Sequence, residues 1–193
     1  MKNLNTAKKS VLGNMIIRQT MGGTRKEDKI RDKDELIERI KEEYEKQDSK
    51  TTHKLDLTML DVSEIDNMNA IFESYDNKLE YINVSNWNVS NVYDMGYMFY
   101  GCESLKSIDI SNWNVRNVKN MRCMFCDCKL LNNIDVSKWN VGNVVNMSFL
   151  FSECSSLKSI DVSKWDIIGL KTSELDDPLR LAFYGCMFGY ELI

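Results

Sequence analysis

The sequence predicts an α/β solenoid of about five strand–helix repeats, each close to 26 residues long, behind an N-terminal capping helix. Three observations predict it. Residues 105–130, LKSIDISNWNVRNVKNMRCMFCDCKL, align with residues 131–156, LNNIDVSKWNVGNVVNMSFLFSECSS, with Trp, Asn-Val, Met, Phe and Cys in register. Within each copy a stretch of period two is followed by one of helical spacing. One such unit cannot bury its apolar face alone, so stacking has to supply the core.

The chain opens on a basic stretch, residues 1–25, with Lys2, Lys8, Lys9, Arg18 and Arg25 and no acid, although the whole carries a net charge of -4. Such a tail is expected to be solvated and disordered, with contact to an acidic surface as the alternative. Nucleic acid is not expected as a partner. The apolar patch Met15-Ile16-Ile17 is too short for a signal peptide, and no early cysteine offers a lipid anchor, so a cytoplasmic location is favoured. No apolar run approaches the 18 or so residues of a membrane span.

Residues 26–51 read as an amphipathic capping helix. Leu36, Ile37, Ile40 and Tyr44 share one face, and Asp32 with Glu35 resembles a capping box with Asp in place of Ser or Thr. Glu35/Arg39 and Glu42/Lys46 are spaced for i,i+4 pairs. The spacing predicts a helix from near Lys33 to Gln47, docked on the open end of the array or held out for a partner.

Residues 52–193 form the array, with repeats near 52–78, 79–104, 105–130, 131–156 and 157–193. One column holds Leu60, Trp87, Trp113, Trp139 and Trp165, and another Met68, Met95, Met121 and Met147. A third holds Phe72, Phe99, Phe125, Phe151 and Phe183. These columns are expected in the core, although an exposed tryptophan row could stack on sugars. The last copy carries an insertion around Thr172–Pro178 before the register resumes. In each copy Leu105, Ile108 and Ile110, or their equivalents, predict a strand. Val118, Met121, Met124 and Phe125 lie at i, i+3, i+6 and i+7, which predicts a short helix. Asn91, Asn117 and Asn143 stand where they would cap those helices.

These residues resemble the BspA-type leucine-rich repeats, the DUF285 group of bacterial surface proteins and Mycoplasma-type lipoproteins. Their unit reads D-V-S-x-W-x-V-x-N-V-x-x-M-x-x-M-F-x-x-C, and the likeness covers residues 52–186. It implies a leucine-rich-repeat solenoid and roles in adhesion and protein binding.

Six cysteines invite a chemical reading. Cys102, Cys128, Cys154 and Cys186 occupy one column, where small buried thiols suit a stacked ladder. Stacked neighbours could also reach disulfide geometry if oxidised. Cys123, Cys126 and Cys128 resemble half a zinc site, but a structural zinc takes four ligands and the single histidine, His53, is distant in sequence. No metal and no cofactor is expected. The sequons at Asn83, Asn88 and Asn146 carry no weight without an export signal.

The polar residues left over by stacking alternate with inward apolar ones on each strand. Facing the presumed concave sheet are Tyr81, Asn83 and Ser85, then Ser107, Asp109 and Ser111. Asn133, Asp135 and Ser137 follow, and then Ser159, Asp161 and Ser163. Stacked Asp109, Asp135 and Asp161 would repel, so either local hydrogen bonds or a cationic ligand must offset them. No nucleotide-binding, zinc-protease or serine-hydrolase signature is present. The expected function is therefore a non-catalytic protein–protein interaction module, binding on the concave sheet. The alternatives are an adhesin-like binder of glycans or cations, and a structural component that self-associates through the C-terminal edge at Met187–Ile193.

Overall fold

The computed structural model describes residues 28–46, 53–73, 79–168, 170 and 178–186. The basic tail, most of the insertion after Lys171 and the C-terminal edge at Met187–Ile193 lie outside the described residues. The protein combines helix and strand around a small parallel sheet, with no closed barrel among the described residues. In chain order the elements are β1 (Asp28–Lys29), α1 (Lys33–Glu45), β2 (His53–Asp56), β3 (Leu60–Asp61), β4 (Leu79–Asn83), β5 (Ser107–Ile108) and α2 (Pro178–Ala182).

The capping residues of α1 are those the sequence marks. Asp32 Oδ1 accepts from Glu35 N at 2.8 Å, and Glu35 Oε2 accepts from Arg31 N at 3.0 Å. One orphan backbone donor of the first turn, Glu35 N, is thus satisfied, and the Glu35 side chain reaches back past the cap to Arg31 rather than to Asp32 N. Arg39 pairs with Glu42 at 3.5 Å, and Lys41 and Lys46 likewise pair at i,i+3 with Glu38 and Glu43. Leu36 and Ile40 are fully buried in the core, and α1 packs against β2. β1 is not foreshadowed by any periodicity. It pairs in parallel with β3, and Ile30 N donates to Asp61 O at 2.8 Å.

β2, β4 and β5 form a three-stranded parallel sheet in that order. Lys54 pairs with Tyr81, Asp56 with Asn83 and Tyr81 with Ser107, and a further bridge joins Ser107 to Asn133. Parallel pairing needs a long return path between strands. Here the return path is the rest of each 26-residue segment.

That return path corrects the strand–helix expectation: among residues 65–73, 92–102, 118–128 and 144–154 turns stand where short helices were predicted. In the third segment Met124 N donates to Met121 O, Cys126 N to Cys123 O and Cys128 N to Phe125 O. The alternate N–H groups, of Met121, Cys123, Phe125 and Asp127, donate instead to Asn146, Ser148, Leu150 and Ser152 of the next segment. An α-helix requires successive N–H groups to reach the fourth carbonyl back, so this alternation excludes it. Two local features enforce the choice. Asn67, Asp94, Asn120 and Asn146 each accept from the N–H two residues on, closing a side-chain turn. Ala70, Tyr97, Cys123 and Phe149 sit at φ 57, 57, 53 and 60°, which breaks any helix there. The spacing misleads because consecutive three-residue turns also bring every third side chain inward.

The asparagines read as caps are a second correction. Asn91, Asn117 and Asn143 donate Nδ2 to the carbonyls of Ser63, Ser90 and Arg116 at 2.7, 2.7 and 2.8 Å. With no helix to cap, the side chain spans to the preceding segment.

The core is a set of ladders. Phe72, Phe99, Phe125, Phe151 and Phe183 stack with centroids 5.0–5.4 Å apart and planes within 9°. Trp87, Trp113, Trp139 and Trp165 are buried, and each donates Nε1 to a carbonyl one segment back, at Leu57, Val84, Ile110 and Val136. A buried indole therefore has its one polar atom satisfied. At the far end α2 closes the turn side, where Phe149 N and Phe151 N donate to Leu181 O and Ala182 O.

Candidate binding surface

The strand face presents two kinds of outward position. One is occupied by Asp56, Asn83, Asp109, Asp135 and Asp161, all exposed. In each case Oδ1 accepts from both the backbone N–H and the hydroxyl of the Thr or Ser two residues on. For Asp135 and Asp161 the Ser hydroxyl, then the Ser N–H, holds the carboxyl below its ordinary range. Local hydrogen bonds thus stabilise the stacked carboxylates. They also engage Ser85, Ser111, Ser137 and Ser163 as turn donors.

The other outward position runs Lys54, Tyr81, Ser107, Asn133 and Ser159. Lys54 to Asn133 are joined pairwise in register, and the Lys54 ammonium sits 5.0 Å above the Tyr81 ring. Tyr81, Asn133 and Ser159 are exposed and Ser107 is half-buried. Unlike the Asp column, this row changes identity from segment to segment. A groove of about 630 Å³ borders it, lined by Lys106, Leu130, Asn132, Leu157 and Lys158 among others. Lys106 is tied to Glu80 at 2.7 Å, which holds its pKa up.

The cysteine column is internal at Cys102, Cys128 and Cys154 and half-buried at Cys186. Cys102, Cys128, Cys154 and Cys186 point Sγ at the carbonyls of Phe72, Phe99, Phe125 and Phe151, at 3.7, 3.2, 3.1 and 3.0 Å. Burial pushes Cys102 up to about 12 and Cys186 to about 11, and it raises Cys128 and Cys154 as well. All six cysteines are free thiols. Among the described residues no three His, Cys, Asp or Glu side chains are grouped to hold a metal ion. None of the described helices is long and apolar enough to cross a membrane.

Sequence reasoning missed the exposed residues of the turn side. Arg122 Nε donates to the Tyr97 hydroxyl at 2.9 Å, and its guanidinium lies 5.6 Å from the Phe149 ring centre. Arg122 and Tyr97 are half-buried, whereas Tyr93, Val145 and Tyr184 are exposed. The signal lay in the alignment of the segments, since these columns differ where the stacking columns repeat.

A family model described as Mycoplasma protein of unknown function, DUF285, matches residues 40–165. No curated protein and no solved structure matches the chain.

Proposed function

The chain belongs to the DUF285 family, and on that premise we propose that it is a non-catalytic protein-interaction module built from five BspA-type leucine-rich repeats stacked as a solenoid. The stacked reading draws its support from the Trp, Phe and Cys ladders, whose partners recur one segment apart. The binding reading rests on a single observation: the outward row Lys54, Tyr81, Ser107 and Asn133 is held in register by the sheet while differing in every segment. Residues consumed by stacking or turns repeat; in this row only Ser107 and Ser159 coincide, so the fold does not require its identities. Tyr81 supplies an amphipathic anchor with Lys54 against its face, the chemistry that dominates protein interfaces. Ser107 and Asn133 supply donors and acceptors, and Leu130 in the adjoining groove supplies apolar surface.

An extended polypeptide laid across the strands fits this row. A glycan platform is less well served, because the tryptophan rings are buried. The test is a photo-crosslinking residue in place of Tyr81, followed by titration of the captured, purified protein. Tyr81→Ala and Asn133→Ala are each expected to weaken binding about tenfold or more, as loss of an interface anchor does. Asp135→Asn, which keeps the turn acceptor, is expected to leave affinity unchanged. Wild-type affinity in both alanine variants would overturn the reading.

A further inference from the structure

Asp66, Tyr93, Lys119 and Val145 form one exposed column, separate in the chain from the strand row. Tyr93 N donates to Asp66 O at 2.8 Å, Lys119 N to Tyr93 O at 2.8 Å, and Val145 N to Lys119 O at 2.9 Å. An acid, an aromatic ring and a cation therefore stand at equal steps, each ~4.8 Å by the spacing of parallel backbones. Neither Asp66 nor Lys119 has an ion-pair partner among the described residues. Tyr93 accepts only a long contact from Asn67 Nδ2 at 3.4 Å.

This order is complementary to its own reverse. We propose that the face pairs with the same face of a second copy of this chain, about a two-fold axis through Tyr93. The axis sets Asp66 of each copy opposite Lys119 of the other and brings the two Tyr93 rings together at the centre, the self-complementary pattern of a two-fold interface. Flanking charges extend the match. Between Lys54 and Lys78 the first segment holds Asp56, Asp61, Glu64, Asp66, Glu73 and Asp76 with no lysine or arginine. Between Asp109 and Asp127 the third holds Arg116, Lys119 and Arg122 with no acid. The axis lies in the interface and across the column, so it exchanges the ends of the face and keeps its sides: exposed Arg116, three residues before Lys119, meets the Glu64 and Asp61 flank that precedes Asp66 in the other copy. Lys29, already on Glu64 at 2.8 Å, shares that flank. A central aromatic pair inside a charged rim is the usual anatomy of a protein interface. The occupant is a second copy because the complementary surface, with the required spacing, is present on the chain itself.

The test is light scattering of the purified full chain over a range of concentrations, at low and high salt. Wild-type mass is expected to rise toward twice the monomer at low salt and to fall as salt screens the charge pairs. Asp66→Lys leaves two cations in the column and Lys119→Asp leaves two acids, so each variant alone is expected to dissociate at least about tenfold more readily. An equimolar mixture of the two restores opposite charges at both contacts and is expected to dimerise, as is the double variant D66K/K119D. Tyr93→Glu, which places two like charges on the axis, is expected to be monomeric with an unchanged circular dichroism spectrum. A wild type that stays monomeric throughout, single variants that associate like wild type, or a mixture that does not recover would each overturn the proposal.

Discussion

Asn117 Nδ2 lies 2.7 Å from the carbonyl oxygen of Ser90, a residue 27 positions earlier in the chain. The same bond recurs from Asn91 to Ser63 and from Asn143 to Arg116, which makes the asparagine a donor between segments. A helix cap needs an acceptor, and there Asp serves as well as Asn. Asn117→Asp therefore separates the two roles. It removes the donor and sets a carboxylate against a carbonyl, so urea unfolding is expected to show a loss of about 1–2 kcal/mol. Stability equal to or above wild type would restore the cap.

Phe125 is fully buried between Phe99 and Phe151, at centroid distances of 5.1 and 5.4 Å. Phe125→Ala removes a large buried ring from the middle of the ladder, where neighbours on both sides hold the cavity open. The expected cost is about 3–5 kcal/mol. Tyr184→Ala, at an exposed ring, should stay within about 0.5 kcal/mol of wild type. Chemical denaturation of the pair checks the contrast, and equal losses would mean that the phenylalanine ladder does not carry the core.

The ladders were legible because stacking demands the same side chain at a constant step; Trp113, Phe125 and Cys128 could be placed from their spacing alone. The α1 cap was legible for a similar reason, since Asp32 and Glu35 act within one turn. The helical half of each segment was misread because Val118, Met121 and Met124 satisfy a turn ladder as well as a helix; what decides is the destination of alternate N–H groups, a long-range matter. β1 was invisible because Ile30 is a lone apolar residue whose strand exists only through β3. The strand face was legible in its alternation as far as Ser107–Ile108, but the strand expected of every copy shrinks to one bridge at Asn133 in the fourth and is missing from residues 157–162 in the fifth. The hydroxyls that occupy Asp109 and Asp135 were anticipated, yet the consequence, that this column serves the turns, appears only with the contacts. Asn83-Val-Ser85 and Asn88-Val-Ser90 follow suit: each triplet closes a turn, with Ser Oγ on Asn Oδ1 at 2.9 and 2.7 Å.

Burial sets the alkaline limit of the fold. Cys102, Cys128, Cys154 and Cys186 hold their protons more tightly folded than unfolded. Their contribution to stability is therefore complete below the ordinary thiol value, about 8.5, and is lost as pH rises through the raised folded values. Melting temperature is expected to fall progressively above that value, and less steeply in Cys128→Ala. At mildly alkaline pH, alkylation followed by peptide mapping should modify half-exposed Cys126 and Cys186 before Cys102, Cys128 or Cys154; early labelling of those three would show that the column is open.

The acid limit has the opposite sign. The carboxyls of Asp61, Asp135 and Asp161 are held below their ordinary range by the Ser two residues on. They contribute stability above the unfolded carboxylate value, about 3.9, and that contribution drains away as pH falls through the lowered folded values. Asn is also an acceptor, as Asn83 already demonstrates with Ser85. The variant D135N/D161N should thus match wild type near neutral pH and lose less melting temperature on acidification. A parallel acid limb in the two proteins would remove these turns from the account.

Asp127 and Glu153 share a column with Gly101, and all three have left-handed backbone, at φ 61, 60 and 70°. Glycine adopts that region without steric cost, whereas a residue with a Cβ carries strain of about 1 kcal/mol there. The carboxylate of Asp127 offsets little of it, since its one described side-chain contact is a 3.7 Å approach from Cys126 Sγ. The backbone bonds that matter, from Asp127 N to Ser152 O and from Lys129 N to Asp127 O, do not depend on the side chain. Asp127→Gly is accordingly expected to stabilise the protein by about 0.5–1 kcal/mol, against the usual direction of a change to glycine. Gly101→Ala, with no atom within 4 Å of the added Cβ, should cost about the same amount through backbone strain alone. Urea midpoints of the two variants moving in opposite directions would establish that this turn column, and not a helix, sets the conformation of each segment; a destabilised Asp127→Gly would count against it.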